Sequence, residues 1–323
     1  MRSDSNGETL GEETGVTKTG VSILGIFVAD TAYLAARMPV IGETIRGSGF
    51  AVGPGGKGSN QAVAAARAGA AVSFISKIGR DTFGELAQKT YAEAGVTPVL
   101  TVMDTEPTGA AFIYVNDRNG DNAIIVYPGA AGTIAVEDVE AARDTIETSA
   151  VFVTQLEQPV AAAQRALEIA RAAGVVTVFN PAPAETFPDA LYGLSDYIIP
   201  NETEAAALVG FGIETLDDAR RAGDALMARG AGAAVITLGG RGVLLHTASQ
   251  SLHLPVFTVG PVIDTTGAGD AFVGGFSAAL SAGRDPVDAV RFGCATAGIS
   301  VTRRGTAPAM PALEEIEAVL ARG

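Results

Sequence analysis

Asp264–Thr265–Thr266–Gly267–Ala268–Gly269–Asp270 runs straight into the apolar, Ala-rich stretch AFVGGFSAAL. Glycines at the mouth of a helix let backbone N–H groups approach an anion, and the helix dipole favours negative charge there. This spacing predicts that Gly267, Ala268 and Gly269 form an anion hole that holds a phosphate. Asp270 falls in the first helical turn beside it, placed as a base to take the proton of an attacking hydroxyl. A lone Asp at a helix start would do no more than complement the dipole. Gly267-x-Gly269, with Asp264 before it, is what points to chemistry.

A second glycine-rich segment is Gly53–Pro54–Gly55–Gly56–Lys57–Gly58–Ser59–Asn60–Gln61. It is not a Walker P-loop, because Gly58 follows Lys57 where Ser or Thr is needed. Gly53, Gly55 and Gly58 do fit G-x-G-x-x-G, the dinucleotide fingerprint, yet no acidic residue closes the next apolar run, which ends Phe74–Ile75–Ser76–Lys77. The other reading uses the donors: N–H groups of Gly56 and Gly58, the ammonium of Lys57 and the amide of Asn60 would grip sugar hydroxyls. The plainest reading is a turn that starts a helix.

Weaker signals follow apolar runs, at the edge where α/β sites gather. Asn201–Glu202–Thr203–Glu204 is either an acidic first helical turn or a pair, Asn201 and Glu204, that orders water around magnesium near phosphates. Glu157 follows another such run. Thr237, Gly239, Gly240, Arg241 and Gly242 make a small-residue turn suited to contact with a nucleotide. His246 and His253, the only histidines, read as structural or surface residues of a hairpin.

The elements that must position these groups follow from periodicity. Val21–Val28, Val72–Ile75, Val151–Thr154, Val175–Phe179, Tyr197–Ile199 and Ala234–Thr237 read as buried strands. Helical patterns cover Gly58–Gly69, Phe83–Ala94, Val160–Ala173, Glu202–Val209, Leu216–Arg229, Ala268–Leu280, Pro286–Val301 and Leu313–Ala321. Strands alternating with helices predict an α/β fold, a mostly parallel central sheet flanked by helices. Residues 31–52 and 97–127, the latter with the turn Asp117–Arg118–Asn119–Gly120, read instead as antiparallel strands of a small separate sheet, a lid.

With 323 residues, 47% of them hydrophobic, the chain is long enough for a large core. Residues 1–20 are polar and are expected to be a disordered leader, leaving residues 21–323 as the folded unit. A formal charge of −14 without a basic cluster argues against nucleic-acid and anionic-membrane partners. No long apolar run suggests a membrane span. Cys294 is the only cysteine, so no intrachain disulfide forms, which suits the cytoplasm.

Taken in order, these motifs resemble the ribokinase-like (PfkB) carbohydrate kinase family over about residues 21 to 320. Gly55–Ala62 (GGKGSNQA) is similar to its first signature and Asp264–Asp270 to its second. Asn201–Glu204 resembles its N-x-x-E motif, and Asn180–Ala184 (NPAPA) is typical of the ribokinase branch. The resemblance implies a Rossmann-like ribokinase fold whose β-sheet lid also pairs two subunits into a homodimer. It implies transfer of the ATP γ-phosphoryl group to a primary hydroxyl of a small sugar, with Mg2+ and with K+ as monovalent activator. Sugar contacts implied are Asp30, Gly56, Lys57, Asn60, Glu157 and Asp270. Nucleotide contacts implied are Asn201, Thr237, Gly239, Arg241, Gly242 and Gly269. A monovalent-cation loop maps to Asp264, Thr266, Ser300, Arg303, Gly305 and Ala309.

Three positions depart from the family pattern. Val28 stands where Asn is typical, which implies that ribose is a poor or secondary substrate. Ala309 stands where Ser is frequent and keeps only its backbone carbonyl. Cys294 replaces an adenine-side polar residue. Rival readings are a kinase for fructose, tagatose, a deoxy-sugar or a nucleoside, a dinucleotide-dependent oxidoreductase, and a non-catalytic sugar sensor.

Overall fold

The computed structural model of the chain describes residues 18–322. The expected leader therefore lies almost wholly outside the described residues. In chain order the strands are β1 (Val21–Leu24), β2 (Val28–Ala35), β3 (Gly49–Gly55), β4 (Val72–Gly79), β5 (Val96–Met103), β6 (Thr108–Asn116) and β7 (Asn122–Gly129). The second half adds β8 (Val151–Thr154), β9 (Val176–Phe179), β10 (Tyr197–Ile198), β11 (Ala233–Thr237), β12 (Val243–His246) and β13 (Ser251–Leu254).

Strands buried on both faces read as continuous apolar runs, and VSIL and VFVT are buried at every residue. Their side chains alternate between two hydrophobic clusters. Ile23, Phe74, Val153 and Val235 join one; Leu24, Ile75, Phe152 and Ile236 join the other. The result is a nine-stranded sheet in the order β13-β12-β11-β10-β9-β8-β1-β4-β5. Its strands are parallel except for the β12–β13 hairpin, which pairs antiparallel at one edge. Helices Lys57–Arg67, Thr82–Ala94, Ala268–Ser281, Pro286–Ser300 and Leu313–Leu320 cover one face. Helices Val136–Ala141, Arg143–Thr148, Val160–Ala172 and Leu216–Ala228 cover the other. No described helix is long and apolar enough to cross a membrane.

Strand order reverses at β1, which lies between β8 and β4. Ligands of open α/β sheets bind at such a switch point, beyond the carboxyl ends of the strands. Gln155–Glu157, Asn180 and Asn201 all follow strands at that edge.

The second sheet, β3-β2-β6-β7, is the expected lid. Each hairpin within it is antiparallel, but the two meet through a parallel β2–β6 pairing. Two boundaries differ from the sequence reading. Residues 97–103 do not belong to the lid: Val96–Met103 pairs parallel with β4 in the main sheet. Gly95, with φ 76°, ends the preceding helix and returns the chain beside β4, a β-α-β crossover. Val21–Val28 is also not one strand. The chain leaves the main sheet after Leu24, and Val28 already opens lid strand β2.

Candidate active site

Helix Lys57–Arg67 presents Lys57, Asn60 and Gln61 at spacings of three and four, hence on one face of its first turns. That face meets the start of helix Ala268–Ser281. Asn60 Nδ2 donates to Asp270 Oδ2 at 3.1 Å, and Gln61 Nε2 donates to Asp270 Oδ1 at 3.1 Å. The close approach of the two helices depends on Gly274, where an added Cβ would lie 2.5 Å from Ala64 Cβ.

Gly267 caps the second helix with φ 76°, a left-handed conformation that other residues adopt only with strain. The N–H groups of Gly269 and Asp270 then sit in the first turn, where the helix offers them no acceptor. Ala268 N–H is partly engaged, donating to Thr265 O at 3.2 Å. Lys57, Asn201, Glu204, Thr237, Thr265 and Gly267–Asp270 line one crevice of about 160 Å³.

Three further groups complete the polar wall. Glu157 Oε2 accepts the backbone N–H of Lys57 at 2.7 Å. Asn201 caps helix Glu202–Val209 and trades hydrogen bonds with Glu204: each side chain accepts the other residue's backbone N–H, at 2.8 Å. Asp30 reaches over from lid strand β2, close against Gly55, where a Cβ would clash with its carboxylate.

Burial dominates the electrostatics. It pushes Glu157 up to about 7, against the pull of the Lys57 ammonium and N–H, with Asp270 and Asp30 adding to the rise. It likewise pushes Asp30 up to about 6, helped by the charge of Asp270. Asp270 is also raised by burial, while Lys57, Asn60 and Gln61 pull it back toward the charged form. For Lys57, burial opposes the charge, but Asp270, Glu157 and Glu204 outweigh it and hold the ammonium above its usual range.

The comparisons with known proteins agree with this geometry. The family model described as pfkB family carbohydrate kinase matches residues 18–313. The chain belongs to the pfkB family of carbohydrate kinases. Within the family it is 38% identical over 296 residues to a ribokinase of Haemophilus influenzae, covering 91% of this chain and 96% of that one. It is 33% identical over 302 residues to a deoxyribokinase of Salmonella typhimurium, with 93% and 98% covered. The structure of Arabidopsis thaliana ribokinase complexed with ribose and ATP superposes with a TM-score of 0.88 at 27% identity, covering 94% of this chain and 99% of that one.

The pfkB assignment disposes of the dinucleotide reading on physical grounds. Gly53 and Gly55 lie inside lid strand β3, paired with β2, and not in a strand-to-helix turn of the main sheet. Gly58 is used in packing: an added Cβ would lie 2.8 Å from Gly25 Cα. Gly242 is similarly committed, since a Cβ there would meet Leu254 O at 2.1 Å. Arg241 is not a free cation; its guanidinium pairs with Glu202 and donates to the carbonyls of Ile213 and Glu214. Gly239 and Gly240 face open space on the side where a Cβ would be.

The residues mapped to the cation loop gather on two adjoining segments. Asp264 accepts N–H groups from Thr266 at 2.9 Å and Gly305 at 3.0 Å, and these hold its carboxyl below the usual range although burial opposes them. Ser300 carbonyl accepts from Arg303 N–H, and Ala309 N–H donates to Thr306. The Arg303 guanidinium pairs with Glu315. Of the histidines, the His246 side chain bonds Asp224 and Ser251, and His253 Nε2 donates to the carbonyl of Arg241, so neither side chain lines the crevice.

The sequence reading passed over Gln61, Gln155 and Asn180 as site residues, although all three meet behind Asp270. A glutamine four residues after Lys57 on one helix face was the available signal for Gln61.

Glu157 supports a prediction about pH. Its folded-state pKa of about 7 lies above the usual 4.5. Below pH 4.5 it is protonated folded or unfolded and costs nothing; between pH 4.5 and about 7 the unfolded chain ionises while the folded carboxyl keeps its proton, so stability is lost across that window and stays lost above it. Glu157→Gln removes that loss. The unliganded variant is expected to be about 1–3 kcal/mol more stable than wild type at pH 8 and equal to it near pH 4, measured by chemical denaturation. A difference independent of pH would contradict the burial account.

Proposed function

We propose that the chain is an ATP-dependent sugar kinase that phosphorylates the primary hydroxyl of ribose, with Asp270 as the base. The observation that carries this reading is the buried carboxylate of Asp270 in the first turn of a helix whose Gly269 and Asp270 N–H groups have no backbone acceptor among the described residues. The γ-phosphoryl group is received by N–H groups of Gly267–Asp270, which lie where negative charge builds up on the migrating oxygens. Asp270 takes the hydroxyl proton as the new O–P bond forms and the bond to ADP breaks. Its raised pKa brings it nearer to the working pH, where a general base is most effective.

On the sugar side, Asp30, Lys57, Asn60 and Glu157 hold hydroxyls. Asn60 Oδ1 is buried and has no donor among the described residues, which fits an incoming hydroxyl. Val28 was expected to disfavour ribose. It is 3% exposed and belongs to the hydrophobic cluster that also holds Leu24, Ile26, Ile75 and Leu156. Two of the three named relatives are ribokinases and one is a deoxyribokinase, which supports ribose as the substrate, with deoxyribose as the competing sugar, and Val28 as a core residue.

Glu204 keeps one carboxylate oxygen free beside Lys57 and Asp270, which suits a magnesium ion held through water near the phosphates. Magnesium supplies charge neutralisation of the transferring phosphoryl. Asp264 and the carbonyls of Thr266, Ser300, Arg303, Gly305 and Ala309 suit potassium, which steadies the loop that ends in the anion hole. In the cytoplasm, where ATP is made, the buried thiol of Cys294 stays reduced.

One face of the lid exposes Tyr33, Phe50, Val52, Ile125 and Tyr127, and Ile124 and Val126 are exposed on the other. So much contiguous apolar surface on one sheet fits pairing with a second copy.

Three outcomes are expected. Wild type releases ADP only when ribose is present, and Asp270→Asn lowers that rate roughly 10²–10⁴-fold while still binding ATP; wild-type turnover in the variant would remove Asp270 as the base. Potassium raises the rate over tetramethylammonium, and equal rates in the two would remove the cation site. Sedimentation at micromolar concentration gives a dimer, whereas a monomer there would remove the lid pairing.

A further inference from the structure

Behind Asp270 lies a chain of three primary amides, each buried. Gln61, with no exposed surface, donates through Nε2 to both Asp270 Oδ1 (3.1 Å) and Asn180 Oδ1 (3.0 Å). Gln61 Oε1 accepts from Gln155 Nε2 at 2.6 Å. Asn180 Nδ2 donates to the carbonyl of Ile199 at 2.8 Å.

The polarity of this chain has one solution. The backbone carbonyl of Ile199 can only accept, so Asn180 must turn its NH₂ toward it and its Oδ1 toward Gln61. Gln61 must then offer its NH₂ on that side, which is the side facing Asp270. Gln155, by donating to Gln61 Oε1, holds the same orientation from the opposite end. Gln155 Oε1 in turn occupies space that exists only because Gly25 and Gly58 lack side chains; a Cβ added at either would lie 2.7 Å from it. Gln158 Nε2 fixes the Gln155 backbone, donating to its carbonyl at 2.7 Å.

We propose that Gln61 is a positioning residue for phosphoryl transfer, presenting to Asp270 a donor that Asn180 and Gln155 prevent from turning round. A donor so fixed bonds the charged carboxylate and not the proton of the acid, so it favours the ionised form against burial. It also fixes Oδ1, leaving the carboxylate one rotamer in which to meet the sugar hydroxyl. The inference rests on Asp270 being the base.

The test is the pH profile of kcat/KM for ribose phosphorylation in Gln61→Met, Gln155→Met and the double variant. Gln61→Met keeps length and loses the donor. Its acid limb is expected to move alkaline by about one pH unit, with kcat reduced about tenfold on that limb and KM for ATP unchanged. Gln155→Met leaves every group that touches Asp270 in place and shifts the limb the same way by less. It therefore carries the test whether or not Gln61→Met folds. In the double variant the second change adds less than about twofold, because one chain is cut twice.

An acid limb at the wild-type position in either single variant, or losses that multiply in the double variant, would overturn the proposal. Asp270→Asn separates this from the parent reading: if it stays active the base assignment fails, and if it is inactive while the limb does not move, only the amide chain fails.

Discussion

Asp270 is 8% exposed, and an isolated carboxylate so buried costs several kcal/mol unless partners are already in place. Its partners come from one helix. Lys57, Asn60 and Gln61 share a face of helix Lys57–Arg67, and that face must lie against the first turn of helix Ala268–Ser281. Much of the surrounding architecture serves this contact. Gly274 lets the two helices close, Gly25 and Gly58 let the first helix settle against the end of β1, and the switch point between β1 and β8 supplies Gln155 and Glu157 beneath it.

The same burial that makes Asp270 expensive makes it useful. Glu157, Glu204 and Asp270 are all raised by burial, and all act on one ammonium, that of Lys57. Three acidic groups around Lys57 are more than one positive charge can balance. A sugar brings hydroxyl donors to these carboxylates, and a nucleotide brings anionic oxygens to the helix N-terminus. The lid carries Asp30, whose carboxyl feels the charge of Asp270, so in the proposed reaction closure over the sugar is linked to the electrostatics of the base. Excluding water there strengthens each of these interactions and keeps hydrolysis from competing with transfer.

Much of this was legible in the sequence, for reasons that can be named. The run Asp264–Asp270 announces itself because glycines before an apolar helix have few other uses, and the helix indeed starts at Ala268 with Asp270 in its first turn. Buried parallel strands declare themselves as unbroken apolar runs. Val96–Met103 did not, because its edge position leaves Thr97, Pro98, Thr101 and Val102 exposed, so that it imitates a lid strand. Arg241 reads as part of a turn suited to a nucleotide, and its pairing with the Glu202 carboxylate and the Glu214 carbonyl was not legible, because these are remote in sequence and only tertiary structure brings them together. Gln61, Gln155 and Asn180 were hidden for the same reason: an amide's role depends on which neighbour faces which of its ends.

The central claim is that this site directs phosphoryl transfer to a sugar hydroxyl and keeps it from water. Phosphorus NMR of a mixture of wild-type protein, ATP, magnesium and ribose tests it most directly, because every phosphoryl group is followed to its destination. The account predicts that ADP and a sugar phosphomonoester grow in one-to-one proportion, with no inorganic phosphate beyond the level seen without ribose. Inorganic phosphate rising in step with ADP, with no phosphomonoester, would contradict it.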